Sequence, residues 1–129
     1  MKKIVIVIAA LVALPMAAQA GDVTGLWQTA PNDEGKYIQV QIYPCASDEA
    51  QICGVITEGF AGASQDNNGK PIIWGMQANG TDHWNKGNVW APDSDKTYRA
   101  NLTLNGDTLV VQGCVMGVFC RSSDWTRVQ

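Results

Sequence analysis

The chain has 129 residues, of which 46% are hydrophobic and 16% charged, and its formal net charge is −3. This length suits one domain. The negative balance, without any cluster of Lys and Arg, argues against nucleic acid or an anionic membrane as a partner. We therefore look for a function that does not depend on binding polyanions.

The first 20 residues have the pattern of an export signal. Lys2 and Lys3 form a positive start, residues 4–14 are apolar, and residues 18–20 (Ala-Gln-Ala) are typical of a cleavage site. The apolar run is too short to span a bilayer, and no cysteine stands directly after the cleavage point. Removing the signal leaves 109 residues (21–129) with seven basic and 12 acidic side chains, a net charge of −5. We expect a single periplasmic or secreted domain without a lipid anchor or a membrane span.

Beyond the signal, the hydrophobic pattern has a period of two. Ile38, Val40 and Ile42 alternate with glutamines, which is typical of antiparallel strands with one buried face. Turn residues separate such segments, and Asn105-Gly106 is the strongest hairpin signal. The pattern predicts eight strands, at roughly 24–29, 37–44, 52–58, 71–77, 86–91, 97–104, 107–114 and 119–128.

Eight short strands joined by short turns leave two architectures, a barrel or a sandwich. Because no long crossover segment interrupts them, we predict an all-β, eight-stranded, antiparallel up-and-down barrel. Trp27 lies in the first predicted strand, and Trp125 and Arg127 lie in the last. First and last strands are neighbours in a closed barrel, so we expect the Arg127 guanidinium to stack on an indole and close the sheet.

Four cysteines allow three disulfide connectivities. Cys45 and Cys53 bracket a short polar turn, and Cys114 and Cys120 bracket a turn centred on a glycine. Strand-like flanks on both sides of each pair favour Cys45–Cys53 and Cys114–Cys120 as hairpin disulfides. A zinc site or a redox pair is the alternative, but neither pair has the CxxC spacing and the chain has one histidine.

Six short motifs lie in order along the chain: Gly25-x-Trp27, residues 42–45 with 53–56, Trp84 with Gly87, and residues 92–98, 109–114 and 125–128. The set resembles the exported bacterial family catalogued as domain of unknown function 2147. That resemblance implies a small lipocalin-like barrel with Arg127 packed against Trp27. Two features depart from the family. The connection at 59–70 is short, which leaves one rim less covered, and Asp95 stands where a turn glycine is usual.

No combination of side chains indicates a catalytic or metal site. His83, the only histidine, is predicted in an exposed turn without a second catalytic group. Ser122 and Ser123 have no identifiable base. Residues 66–69 and 93–95 resemble fragments of calcium loops but lack the carboxylate that completes a cage. We expect a protein that is not an enzyme and holds no metal or cofactor.

Two function classes follow. We predict that a barrel mouth bordered by Trp74, Met76 and Trp90 binds a small apolar ligand, because aromatic groups with few polar neighbours suit such molecules. The alternative is an envelope interaction protein, such as an inhibitor or stress factor, that acts through its loops around a barrel filled by side chains. An open apolar cavity favours the first class, and an exposed apolar patch on a filled barrel favours the second.

Overall fold

The computed structural model describes residues 22–129, so the predicted export signal lies outside the described residues. Within these residues the chain forms eight strands: β1 (Gly25–Gln28), β2 (Tyr37–Pro44), β3 (Gln51–Phe60), β4 (Pro71–Ala78), β5 (His83–Ala91), β6 (Lys96–Asn105), β7 (Thr108–Val115) and β8 (Phe119–Arg127). Each strand pairs antiparallel with the next, and β1 pairs with β8. The predicted eight-stranded up-and-down barrel is confirmed.

Because consecutive strands run in opposite directions, their connections alternate between the two ends of the barrel. The end at which β1 starts and β8 finishes also carries the β2–β3, β4–β5 and β6–β7 connections, and we call it the terminal end. The opposite end carries the other four connections, including that between β7 and β8, and we call it the hairpin end. The two ends differ in how their side chains are covered.

Side chains from all eight strands occupy the barrel interior. Trp27 and Met76 have no surface accessible to water, and Trp125, paired with Leu109 in the β7–β8 ladder, is also buried. Gly87 permits this packing because a Cβ there would collide with the Met76 sulfur. The centre of the barrel is therefore a packed core. Its side chains are Val23, Trp27, Val40, Ile42, Ile56, Ile72, Ile73, Met76, Trp84, Val89, Ala100, Leu102, Leu104, Leu109, Val111 and Trp125.

One disulfide lies at each end of the barrel. At the terminal end, Cys45, the residue after β2, is bonded to Cys53 of β3; at the hairpin end, Cys114–Cys120 joins β7 to β8. Both predicted pairs are confirmed. A crosslink that closes so short a loop stabilises a domain by about 2–3 kcal/mol in the chain-entropy account.

Two local predictions need correction. His83 does not lie in a turn: it is the first residue of β5, exposed, and its Nδ1 lies 3.2 Å from the Thr103 hydroxyl. The strand was predicted at 86–91, and it begins three residues earlier, at His83. At the β6–β7 hairpin, the strand was predicted to end at residue 104, with Asn105 in the turn. Instead, Asn105 is the last residue of β6, and Gly106, with a φ of 61°, begins the turn.

Candidate functional site

The terminal end is closed by a contact between the first and last strands. The Arg127 guanidinium carbon lies 4.4 Å from the centre of the Trp27 ring, and the two residues are direct partners in the β1–β8 ladder. The guanidinium also donates hydrogen bonds to the carbonyl oxygens of Thr24 (3.1 Å) and Asp22 (2.6 Å). Its Nε lies 3.4 Å from a carboxylate oxygen of Asp107. Arg127 thus joins the start of the described chain, the β6–β7 turn and the core.

The polar groups around this contact have partners. The Trp27 indole N–H donates to the carbonyl oxygen of Val23 at 2.9 Å, so the one polar atom of a buried ring is satisfied. The Asp22 carboxylate accepts hydrogen bonds from the hydroxyl and the backbone N–H of Thr24. These bonds, with a smaller contribution from the Arg127 charge, hold the pKa of Asp22 below its ordinary value.

The structure places the three predicted ligand residues in different surroundings. Met76 lies towards the terminal end of β4 and is fully buried in the core. Trp74 is half-buried and pairs with Asn88 of β5. Trp90 lies near the hairpin end of β5, half-buried, and its indole N–H donates to the Asp95 carboxylate at 2.9 Å. The three residues do not border one mouth, and their role in ligand binding stays a prediction.

The most exposed apolar side chains of the described chain lie together where β7 turns into β8. Met116, Val118 and Phe119 are 87%, 75% and 74% exposed. We call residues Val115–Phe119 the hairpin tip. The Val118 N–H donates to the Val115 carbonyl oxygen at 3.2 Å, and Met116 and Gly117 have φ angles of 56° and 70°. Two successive positive φ angles are typical of a type I′ turn, which favours Asn-Gly. Met116 therefore occupies a strained position without gaining burial.

A shallow groove lies beside the hairpin tip on its β6 side, and we call it the basic groove. Lys96 and Arg99 line it together with Met116, and no carboxylate is among its lining residues. Arg99 pairs with Cys114 in the β6–β7 ladder, which fixes it next to the disulfide. Asp95, the acidic neighbour of Lys96 in sequence, is bonded to the Trp90 indole instead. Positive charge therefore flanks an apolar tip.

A second groove lies on the β8 side of the tip, where the barrel seam is short. β1 and β8 share two residue pairs, compared with eight between β7 and β8. Beyond those pairs the β1–β2 connection diverges, leaving a groove lined by Asp33, Arg121 and Asp124 among other residues. We call it the acidic groove, since two carboxylates accompany one cation. The two flanks of the tip thus differ in charge.

The described residues at the hairpin end offer one apolar and two charged surfaces. Among residues 22–129, no three His, Cys, Asp or Glu side chains converge in a way that could hold a metal ion. No helix within the same residues has the length and apolarity needed to cross a membrane. The arrangement can bind through apolar contact at the tip and through charge in the two grooves.

The sequence alone predicts the hairpin tip only as a turn bracketed by a disulfide. A signal was available, because turns are usually polar, and Val115–Phe119 contains no polar side chain between its two cysteines. The exposure of these residues could not be predicted from the sequence, because an apolar turn can also fold back over a core. The convergence of Lys96 and Arg99 on this tip likewise depends on strand register.

These features define a small lipocalin-like barrel with a packed core and an exposed apolar hairpin. The chain belongs to the bacterial family described as "Uncharacterized protein conserved in bacteria (DUF2147)", whose model matches residues 25–127. Among solved structures it is similar to protein HP1028 from the human pathogen Helicobacter pylori, described as a member of the lipocalin family. The TM-score is 0.68 at 13% identity over 84% of each chain. No curated protein matches the chain.

Proposed function

We propose that this protein docks to another component of the bacterial cell envelope through its hairpin tip, with the barrel as a rigid scaffold. Two disulfides and membership of a bacterial family fit a periplasmic or extracellular location. The observation that carries the proposal is the exposure of Met116, Val118 and Phe119 on a turn where polar residues are usual.

The packed interior supports docking over carriage of a ligand in the barrel centre. Trp27, Ile56 and Met76 have almost no surface accessible to water, so a ligand could enter there only by displacing core side chains. By contrast, the hairpin tip already presents apolar surface to solvent. Contiguous exposed apolar surface is a common mark of an interaction site.

The backbone of the tip gives a second line of support. Met116 adopts a left-handed conformation that a methionine tolerates poorly, whereas Asn or Gly would suit it. Backbone strain of this kind is concentrated at binding and switch sites. The Cys114–Cys120 bridge holds the tip in one arrangement, which lowers the entropy lost when it binds.

Cell fractionation tests the proposal. The full chain and its Val118→Ser/Phe119→Ser variant are expressed in bacteria, and the exported fraction is separated into soluble and envelope parts. We expect the wild-type protein to sediment with the envelope and the variant to move to the soluble fraction, because it has lost two of the three most exposed apolar side chains.

The matched control is Val128→Ser, which removes an exposed apolar side chain from the terminal end. It should distribute like the wild-type protein, since it leaves the hairpin tip intact. An identical distribution of wild-type and tip variant, with both folded, would rule out docking through the tip.

The lipocalin fold favours a second candidate, the carriage of a small apolar ligand. Trp74, Met76 and Trp90 are the residues predicted to contact this ligand. Titration with fatty acids should then quench tryptophan emission or shift it to the blue, and Trp74→Ala or Trp90→Ala should weaken the response. A panel of apolar compounds that changes neither the emission nor the melting temperature would eliminate this candidate.

A further inference from the structure

We infer that the surface to which the hairpin tip docks is an anionic phospholipid bilayer; this inference rests on the proposed docking function and names its partner. The net negative charge of the chain predicted the opposite. That prediction treated the charge as uniform, whereas the structure separates a basic groove and an acidic groove on opposite sides of one apolar tip.

The chemistry of the tip suits lipid better than protein. Every residue between Cys114 and Cys120 is apolar or glycine, so the tip offers no side-chain donor or acceptor for directional recognition. A stable protein interface usually takes about 20–30 residues from each partner, far more than the five in this tip. An apolar segment that enters the boundary between headgroups and acyl chains needs no directional partner.

The backbone of the tip is also suited to that boundary. The Val118 N–H is bonded to the Val115 carbonyl oxygen, which leaves fewer unpaired polar groups to carry out of water. The disulfide keeps this turn closed without help from a partner. Phe119 is an aromatic residue at the base of the tip, and aromatic side chains are favoured near lipid headgroups.

Charge complementarity selects an anionic surface. Lys96 and Arg99 line the basic groove beside Met116, so they would lie at headgroup level when the tip is inserted. The acidic groove, where the carboxylates of Asp33 and Asp124 outnumber the Arg121 cation by one, would be weakly repelled by the same surface. Attraction on one flank and repulsion on the other would tilt the protein towards its β6 side.

Vesicle binding tests the inference. The oxidised, exported chain is mixed with vesicles of phosphatidylcholine alone or of phosphatidylcholine and phosphatidylglycerol in equal parts, and the bound fraction is measured by sedimentation. We expect binding to the mixed vesicles, and Lys96→Gln should lower the partition coefficient about fivefold. Added salt should reduce the wild-type value towards that of the variant.

The decisive variant is Met116→Asn. It creates the Asn-Gly pair that a type I′ turn favours, so it should fold at least as well as the wild-type protein. It also removes the most exposed apolar side chain, and we expect the partition coefficient to fall at least about tenfold. Val128→Ser, at the terminal end, is the matched control and should bind like the wild-type protein.

Three outcomes overturn the inference: no binding to the mixed vesicles, equal binding to both kinds of vesicle, or unchanged binding by Met116→Asn. If vesicles do not bind while the tip variant still leaves the envelope fraction in cells, the docking function stands and its partner is a protein. If neither assay responds to the tip, both proposals fail.

Discussion

The two ends of this barrel place an aromatic side chain in opposite surroundings. At the terminal end, an arginine covers a tryptophan, and the ring is fully buried. At the hairpin end, Phe119 lies exposed near the basic groove, and a second disulfide holds it in place. An apolar ring stabilises a fold when the fold covers it. Left uncovered, it is available to a partner.

If the proposed docking function holds, the terminal end serves stability and the hairpin end serves binding. The terminal end brings together the start of the described chain, the β6–β7 turn and the last strand around Arg127. The tip of the hairpin end makes no comparable contribution to the core, since three of its side chains are at least 74% exposed. Substitutions at the two ends should therefore separate stability from docking.

The largest expected effect is that of Trp27→Ala. The ring is fully buried and its N–H is bonded to the Val23 carbonyl, so truncation should lower the free energy of unfolding by about 3–5 kcal/mol. Trp74→Ala is the matched control, because Trp74 is half-buried outside the core cluster, and its effect should be clearly smaller. Urea denaturation followed by circular dichroism measures both. Equal losses would show that the buried Trp27 at the terminal end stabilises the fold no more than the half-buried Trp74 does.

Each disulfide should contribute about 2–3 kcal/mol, because the closed loops are similarly short. Serine pairs replacing Cys45 and Cys53, or Cys114 and Cys120, test this by thermal denaturation. The two variants should differ in envelope association. Loss of the disulfide at the hairpin tip should weaken the association, whereas loss of the disulfide at the terminal end should not. Loss of association in both variants would point to a general loss of fold.

Arg127→Ala should lower the free energy of unfolding by about 1–3 kcal/mol, since it removes the stack on Trp27 and two hydrogen bonds to backbone carbonyls. Arg127→Lys keeps the positive charge but lacks the planar guanidinium, so it should lower the free energy of unfolding by an intermediate amount. Arg121→Ala, on the same strand but exposed, should change stability by less than about 0.5 kcal/mol. A thermal melt that Arg127→Ala leaves unchanged would disprove the closing role of this residue.

The parts of the molecule that sequence predicted well depend on local pattern. β2 was predicted at 37–44, and it forms Tyr37–Pro44, because regular alternation and flanking turns define it. Both disulfides followed from short loops. Asp95 stands where its family usually has a turn glycine, and its φ of 51° is the conformation a glycine adopts readily.

The surroundings of Trp74, Met76 and Trp90 were not predictable in the same way. Register shifts interrupt the β3–β4 ladder on both sides of Gly54. Gly75 and Lys86 also adopt positive φ angles in the adjoining strands. Each irregularity changes which face a later side chain occupies, and a period-two count does not detect it. The basic groove was not predictable either, because the pairing of Arg99 with Cys114 depends on the register between β6 and β7.

A small effect at the terminal end should depend on pH. Because the pKa of Asp22 is lower in the folded protein than in the unfolded chain, its contribution is present above the unfolded value, near pH 4, and is lost as the pH falls through the folded value. Asp22→Asn should cost less than about 1 kcal/mol at pH 7, since the group is exposed and screened. The difference between the two proteins should shrink in urea titrations at pH 3. A constant difference would mean that the charge plays no part.

The smallest expected effect on stability is that of the residues through which docking is proposed. Met116, Val118 and Phe119 bury little surface in the folded protein, so replacing them with polar residues removes little hydrophobic stabilisation. Val118→Ser/Phe119→Ser should change the free energy of unfolding by less than about 0.5 kcal/mol, and Met116→Asn should leave it unchanged or raise it by relieving strain. Thermal and urea melts of the variants beside Trp27→Ala measure this contrast directly. A loss of several kcal/mol in the tip variants would show that the hairpin tip packs against the barrel in solution, and the division between a stabilising end and a binding end would then fail.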